Sequence, residues 1–433
     1  MNRTMKDSGI PWVGEIPDDW DVVKGKVILS LLQKPVLEDD GIITCFRDGE
    51  VTLRSNRRTE GFTISMQEIG YQGVDEGDLV VHGMDGFAGA IGISDSRGKA
   101  TPVLNVMDST ENKRYLMYYL RSMAKSGLFF ALSTGIRVRS CDTNWNKIKS
   151  VEYLVPSKPE QKKIADYLDK QLGLIDSLIS DTKSAIENLK KLKVSIVTEA
   201  ITKGLNPMCD KKDSGITWIG EVPSTWEVMP LKYLYDFSTG CAVKVGPFGS
   251  ELSSSDLVDE GVWVYNQRVV VDNNFKSNDT FVTEEKAKEL SGFQVLPGDL
   301  LITTRGTIGK IAIVPDDAQP GVLHPCVIKF RIDETKYSKE LLKVLFNQTD
   351  VAKGQILNRS NSTTIEVLYS YSLKEIRIPV PTMKEQETIL KYVNNVIEEY
   401  DGLIEEKEEF CKLLERYKVS LTYEYVTGKR VVD

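Results

Sequence analysis

The chain repeats itself about half its length apart, and any fold it adopts has to accommodate that repetition. Residues 7–23 read DSGIPWVGEIPDDWDVV and residues 213–229 read DSGITWIGEVPSTWEVM. Ten of these seventeen positions are identical without a gap, among them Trp12/Trp218, Gly14/Gly220, Pro17/Pro223 and Trp20/Trp226. A second pair follows: PSKPEQKKIADYLDKQLGLIDSLI from Pro156 and PTMKEQETILKYVNNVIEEYDGLI from Pro381. Between the paired flags lie two stretches, 24–155 and 230–380, that scarcely resemble one another. From Trp20 to Glu160 is 140 residues, whereas from Trp226 to Glu385 is 159. Two frames of one kind holding two different inserts describe a device that reads two different things.

At 433 residues and 48.6 kDa the chain exceeds the size at which single cores stop growing, so two or more domains are expected. No apolar run approaches the ~18 residues that span a membrane, and MNRTMKDSGIPW lacks the apolar core of a secretion signal. The expectation is a cytoplasmic protein. Six scattered cysteines without C-x-x-C spacing and only His82 and His324 beside them argue against zinc and disulfides. The net charge of −8 speaks superficially against nucleic acid, but the acidity is concentrated in runs such as EEYDGLIEEKEE. The inserts instead carry local arginine and lysine clusters, and such patches, not the total, set a DNA footprint.

The helices give the cleanest signal. From Glu160 to Asn206 there is no proline, and apolar residues recur with heptad spacing. One register puts Leu168, Ile175, Thr182, Leu189 and Ile196 at one seam position and Gln171, Leu178, Ala185, Leu192 and Glu199 at the other. Shifted by 225, it gives Val393, Tyr400, Lys407, Leu414 and Leu421 with Val396, Leu403, Phe410, Tyr417 and Glu424. Pro159-Glu160 and Pro381 with Glu385 mark helix starts, and Lys203-Gly204 marks a stop. A rod with one apolar stripe needs a partner, and the chain supplies a second rod. Gly173 and Gly402 each weaken a helix interior by ~1 kcal/mol relative to alanine and are places for a bend.

The inserts read as mixed α/β modules. Strand-like stretches at Asp78–His82, Ala90–Ser94, Trp263–Val271, Leu300–Thr303 and Lys310–Val314 alternate with glycine and asparagine turns. GDLVVHGMDGFAGAIGI and GDLLITTRGTIGKIAIV share the order G-D-L, strand, glycine turn, strand, which predicts a common insert fold. The expected class is α+β: two mixed α/β modules separated by two long helices, in an internal repeat. The expected divisions are 1–155 and 207–380 for the modules with their flags, and 156–206 and 381–433 for the helices.

Catalytic motifs are missing. The glycines at 83–89 follow G-x-x-G-x-x-G, not the dinucleotide pattern, and Gly309-Lys310 lacks the P-loop spacing. There is no NPPY or DPPY pocket for adenine methylation. Glu284, Glu285 and Lys286 read as a solvated helix and not as a nuclease site. The chain is expected to do no chemistry itself.

The flag D-S-G-I-x-W-x-G-E-x-P-x-x-W, the P-x-x-x-E-Q-x-x-I helix start and their duplication around dissimilar inserts resemble the specificity subunits of type I restriction-modification systems. The resemblance covers nearly the whole chain. It implies that each insert is a target recognition domain reading one half of a bipartite site on double-stranded DNA. It implies that the two long helices form an antiparallel coiled coil with pseudo-twofold symmetry that sets the spacing and docks two methyltransferase subunits, and that restriction subunits join to cleave DNA. S-adenosylmethionine, ATP and Mg are then expected on those partners, with no cofactor or metal in this chain and no membrane. A DNA-binding regulator acting without enzymatic partners stands as the alternative.

Base reading favours Arg, Lys, Asn and Gln on loops or helix ends. The first insert offers Arg47, Arg54, Asn56, Arg57, Arg58, Arg137 and Arg139. The second offers Gln267, Arg268, Asn273, Arg305, Asn358, Arg359 and Asn361, with Asn274, Ser360 and Lys244 beside them. Any of these arginines can instead be solvated or salt-bridged. Trp12, Trp20, Trp218 and Trp226 read as packing anchors, because divergent readers do not share reading residues.

Overall fold

The fold was taken from a computed structural model that describes residues 3–57, 68–131, 143–238, 240, 242–359 and 367–432. The chain divides into two compact units: 1–183 with 408–433, and 184–407. The division cuts through both long helices and does not follow the flag boundaries, because half of each helix packs with each insert. No helix among the described residues is long and apolar enough to cross a membrane.

In the first unit, β1 (Asp21–Lys24) leads into β2 (Leu29–Leu31) and a hairpin of β3 (Ile43–Cys45) and β4 (Val51–Leu53). Then come β5 (Leu79–His82), β6 (Ile91–Ile93), β7 (Leu104–Ser109), α1 (Lys113–Lys125), β8 (Glu152–Val155) and α2 (Lys158–Lys203). The second unit repeats this order with β9 (Glu227–Pro230), β10 (Val243–Val245), α3 (Gln267–Asp272), β11 (Leu300–Thr303), β12 (Ile311–Ile313) and β13 (Val327–Phe330). It closes with α4 (Lys339–Gln348), α5 (Val351–Arg359), β14 (Arg377–Val380) and α6 (Met383–Val426).

Each insert carries an antiparallel four-stranded sheet of one topology: β2-β7-β5-β6 in the first and β10-β13-β11-β12 in the second. The shared G-D-L signal marks β5 and β11. Its aspartate is buried in both, with Asp78 bonded to Lys34 at 2.6 Å and Asp299 to Arg331 at 2.5 Å. α1 lies against β6 and α4 against β12. The second insert also carries a five-stranded sheet built around Val262–Tyr265 and Gly321–Leu323. One expected strand is corrected here: Trp263–Val271 turns helical at Gln267. The Asn266 side chain accepts from the Arg268 and Val269 N–H groups, and this cap overrides the β-branched valines.

The frame closes each insert at its root. β1 pairs antiparallel with β8, Asp21 opposite Val155, and β9 pairs with β14, Glu227 opposite Val380. The insert thus leaves and returns at adjacent hydrogen-bonded strands. The buried flag indoles lock this root: Trp20 Nε1 donates to Glu160 at 3.2 Å, and Trp226 Nε1 to Glu385 at 3.1 Å. The next residue, a fully buried glutamine, clips the insert helix. Gln161 accepts from Asn112 N–H and donates to the Pro156 carbonyl; Gln386 accepts from Ser338 N–H and donates to the Pro381 carbonyl. Asn112 and Ser338 are the N-caps of α1 and α4. Trp12 packs near Tyr119 and Tyr423, whereas Trp218 stays half exposed over Gly354.

In each unit the helix segments run antiparallel. Lys193 pairs with Asp401 at 2.6 Å in the second unit, and Lys418 pairs with Asp176 in the first. A shift of 225 residues turns one pair into the other. Each helix ends at a left-handed glycine, Gly204 at φ +71° and Gly428 at φ +70°. A Cβ on Gly204 would meet Trp226 at 3.1 Å, and one on Gly428 would meet Pro17 at 2.3 Å. So the helix ends seat on the flags. Both helices continue through Gly173 and Gly402 without interruption.

The seam differs from the heptad assignment in one respect. Leu168, Ile175, Val393 and Leu421 are buried and Leu189, Ile196 and Leu414 half-buried. The second seam position lies one residue later than expected. Leu178 is 43% exposed while Ile179 is 4%, and Leu403 is 39% exposed while Ile404 is 8%. Leu192 and Phe410 are likewise exposed. The expected set would have turned Gln171, Glu199 and Glu424 inward, where carboxylates lack partners. The observed set brings Lys193 and Lys418 to the seam, where each meets an aspartate. Ile404→Ala should therefore lower the midpoint of urea unfolding by the equivalent of about 2–3 kcal/mol, and Leu403→Ala by less than about 1. The reverse order would restore the heptad assignment.

Candidate nucleic-acid interface

In the first unit, the turn between β3 and β4 gathers four of the expected residues. Arg57 lies 4.2 Å from the Phe46 ring centroid and pairs with Asp48 at 2.8 Å and Glu50 at 2.7 Å. Those carboxylates hold its guanidinium pKa above the ordinary value, chiefly through the Asp48 hydrogen bond. Arg47 reaches across to Asp85 at 2.8 Å in the turn between β5 and β6. Arg54 lies 3.4 Å from the Thr44 hydroxyl, and Asn56 donates to Thr52 at 2.8 Å. Arg58, Arg137 and Arg139 lie outside the described residues. Thr143, just after the latter pair, donates its N–H to the Gly83 carbonyl at 2.6 Å and its hydroxyl to His82 O at 2.7 Å.

The second unit uses the turn that follows its G-D-L strand. Arg305 stands exposed between β11 and β12, and next to it a Cβ on Gly306 would lie 3.0 Å from Gln267 Nε2. Leu368 donates to the Thr304 carbonyl at 2.9 Å, just as Thr143 does to Gly83. A Cβ on Gly309 would meet Ile356 of α5 at 3.1 Å. Gln267, Arg305 and α5 therefore converge on one turn. Asn358 and Arg359 are the last residues of α5, and Ser360 and Asn361 lie outside the described residues.

Two expected residues lie elsewhere. Arg268 is turned to Asp279 at 2.9 Å and Asp272 at 3.6 Å. Asn273 is the C-cap of α3 at φ 48°, and its Oδ1 accepts from Lys343 at 3.1 Å. Lys244 stacks on Phe293 with its Nζ 4.3 Å from the ring centroid.

Sequence reading missed the residue that holds the first turn in place. Arg121 of α1 donates Nε to the Ile91 carbonyl and Nη2 to the Gly49 carbonyl, both at 2.8 Å. Asn347 of α4 occupies the same place, bonding the Ile311 N–H at 2.9 Å and carbonyl at 2.8 Å. Aligning the two N-caps, Asn112 and Ser338, would have revealed the correspondence.

Both histidines hold backbone turns through Nδ1. His82 accepts from the Met84 and Asp85 N–H groups at 3.2 and 3.0 Å, and His324 from Cys326 N–H at 3.1 Å. Burial pushes both below the ordinary value of 6.5, with Asp85 opposing and Arg47 adding to the shift at His82. Both therefore serve as neutral acceptors.

Comparison with known proteins adds similarities. Residues 223–409 match the family model described as the type I restriction modification DNA specificity domain. The chain is 26% identical over 432 residues to the type I restriction enzyme MjaVIII specificity subunit of Methanocaldococcus jannaschii, covering 96% of this chain and 93% of that one. It is 24% identical over 138 residues to the EcoBI specificity subunit of Escherichia coli, covering 32% and 28% of the two chains. Among solved structures, a chain from work on assembly and conformational transition of the type I R-M system superposes with TM-score 0.71 at 13% identity, covering 96% of this chain and 99% of that one. The HsdS subunit of Thermoanaerobacter tengcongensis gives 0.52 at 13% identity, with 96% and 98% covered. At that identity the structural likeness concerns the fold.

The histidine geometry makes a pH test. As pH falls below 6.5, the unfolded chain takes up protons before the folded chain does, so the stability held above that range is lost. Thermal unfolding of the wild type should show a falling midpoint between pH 7 and 5. His82→Asn with His324→Asn keeps an acceptor that does not titrate, and should flatten that decline.

Proposed function

We propose that this chain, a DNA specificity subunit of the type I restriction-modification family, reads one half of a bipartite duplex target with each insert and catalyses nothing itself. The carrying observation is that one frame presents two different polar sets beside the turn that follows its G-D-L strand. The first unit offers Arg47 with Arg57 close by, and the second offers Gln267 and Arg305. In the major groove arginine suits guanine O6/N7 and glutamine suits adenine N6/N7. The arginines held by carboxylates can exchange them for base edges or phosphates, as Arg47 and Arg57 are themselves exposed to solvent. Arg58, Arg137, Arg139, Asn358, Arg359 and Asn361 belong to the same proposal by their place in the sequence.

In this reading the paired helices set the half-site spacing by residue count and carry two methyltransferase subunits, and restriction subunits join that assembly. Reading heads on one duplex need a separation of about one helical turn, ~34 Å, or its multiples. Adenine methylation with S-adenosylmethionine and ATP- and Mg-dependent cleavage then fall to the partners. A regulator acting alone would not use a frame built to present two readers.

The test is to exchange residues 24–155 for the insert of another specificity subunit and map methylated adenines in the host genome. One half of the target should change. A change in both halves would overturn the assignment of one insert to each half. Arg305→Ala should relax the base preference at one position in the other half, at a cost of about 1–3 kcal/mol in binding, with the first half unaffected.

A further inference from the structure

Beside each reading turn lies a cleft that the family reading does not use. In the first unit it measures about 490 Å³ and is walled by Arg47, α1 and residues 415–422 of α6. In the second it measures about 290 Å³ and is walled by the 306–310 turn, the junction of α4 and α5, and Val194. The two are the same place in the repeat. Arg121 and Asn347 stand at matching positions on Ile91 and Ile311, and Val419 and Val194 are related by the helix shift of 225.

Both clefts are short of negative charge. Arg121, Lys125 and Arg416 in the first, and Lys310 and Lys353 in the second, have no carboxylate within ion-pair distance among the described residues. The acids of the first cleft are engaged already: Asp48 with Arg57 at 2.8 Å and Glu415 with Lys418 at 3.7 Å. In the second, Asp350 is the acid on the wall. Lys310 is half-buried, and among the described residues its ammonium reaches only the Asn347 carbonyl, at 3.1 Å. Burial lowers its pKa, and Lys353 and Lys193 push the same way.

We propose that the two clefts are equivalent phosphate sites, each gripping a backbone phosphate of the duplex beside the half-site that its unit reads. The inference rests on the DNA-reading function above. A phosphate supplies the counter-charge that the cations lack. Like the sugar, it does not vary with sequence. A cleft placed identically in two units with different reading residues suits that invariant group.

The experiment uses the full-length chain assembled with its modification subunits. Binding is measured across a salt series to a duplex carrying the mapped target and to a scrambled duplex. Lys310→Gln with Lys353→Gln, and separately Lys125→Gln with Arg416→Gln, should reduce the slope of log affinity against log salt by about 0.9 for each phosphate no longer neutralised. Both duplexes should weaken by the same factor, and Lys310→Arg with Lys353→Arg should keep the slope. An unchanged slope, or a changed ratio between the two duplexes, overturns the proposal. So does loss of the modification subunits with the slope intact, which would make the clefts protein-docking sites. Stabilisation of the wild type by millimolar inorganic phosphate, lost in the glutamine variants while their slopes stay normal, would assign the clefts to free phosphate instead. Failure of the wild type to distinguish target from scrambled duplex would refute the function itself. A wild type that distinguishes them while the variants keep its slope refutes only the clefts.

Discussion

The structure depends on the closure at the root of each insert. A strand following the flag tryptophan pairs with the strand preceding the long helix, and the indole N–H reaches the first carboxylate of that helix. The following glutamine, with no access to water, commits its amide to the insert helix cap and to the carbonyl that ends the returning strand. A buried amide that loses a partner costs about 1–3 kcal/mol, so the clip ties insert, flag and rod together. Because the insert departs and returns through neighbouring strands, its interior can change length without disturbing what lies outside it. The two inserts differ in this way, with 140 residues from Trp20 to Glu160 and 159 from Trp226 to Glu385.

The same closure explains why the presented residues differ while their positions agree. In both units the turn that follows the G-D-L strand accepts a hydrogen bond from a residue late in the insert, at Gly83 from Thr143 and at Thr304 from Leu368. The scaffold behind that turn is built from matching parts, down to a side chain of the insert helix bonding the first residue of the edge strand. Arginine does this in one unit and asparagine in the other, so the geometry is kept with different chemistry. Variation is thereby confined to the outward face of the turns.

The long helices show how a pattern can be read correctly and placed wrongly by one residue. Apolar side chains occur at both i+3 and i+4 from the first seam, and these lie on either side of the same line along the helix. Local periodicity has no means of choosing between them. The choice comes from the facing helix, where Asp401 and Asp176 give Lys193 and Lys418 a place at the seam.

The sequence alone determined the duplication, the helices and the glycine stop of the first, the G-D-L strand pairs and the anchoring role of Trp20 and Trp226, since these follow from local spacing and from residue types that admit few environments. It also carried the family resemblance. Only the tertiary structure decided that α3 begins where a valine run promised a strand, which face of each rod turns inward, and that Gln267 and Arg305 meet while Arg268 turns to Asp279. It alone placed Arg121 and Lys310 beside the reading turns. These outcomes depend on partners distant in sequence, whose hydrogen bonds and charges select among alternatives that local preference leaves nearly equal in free energy.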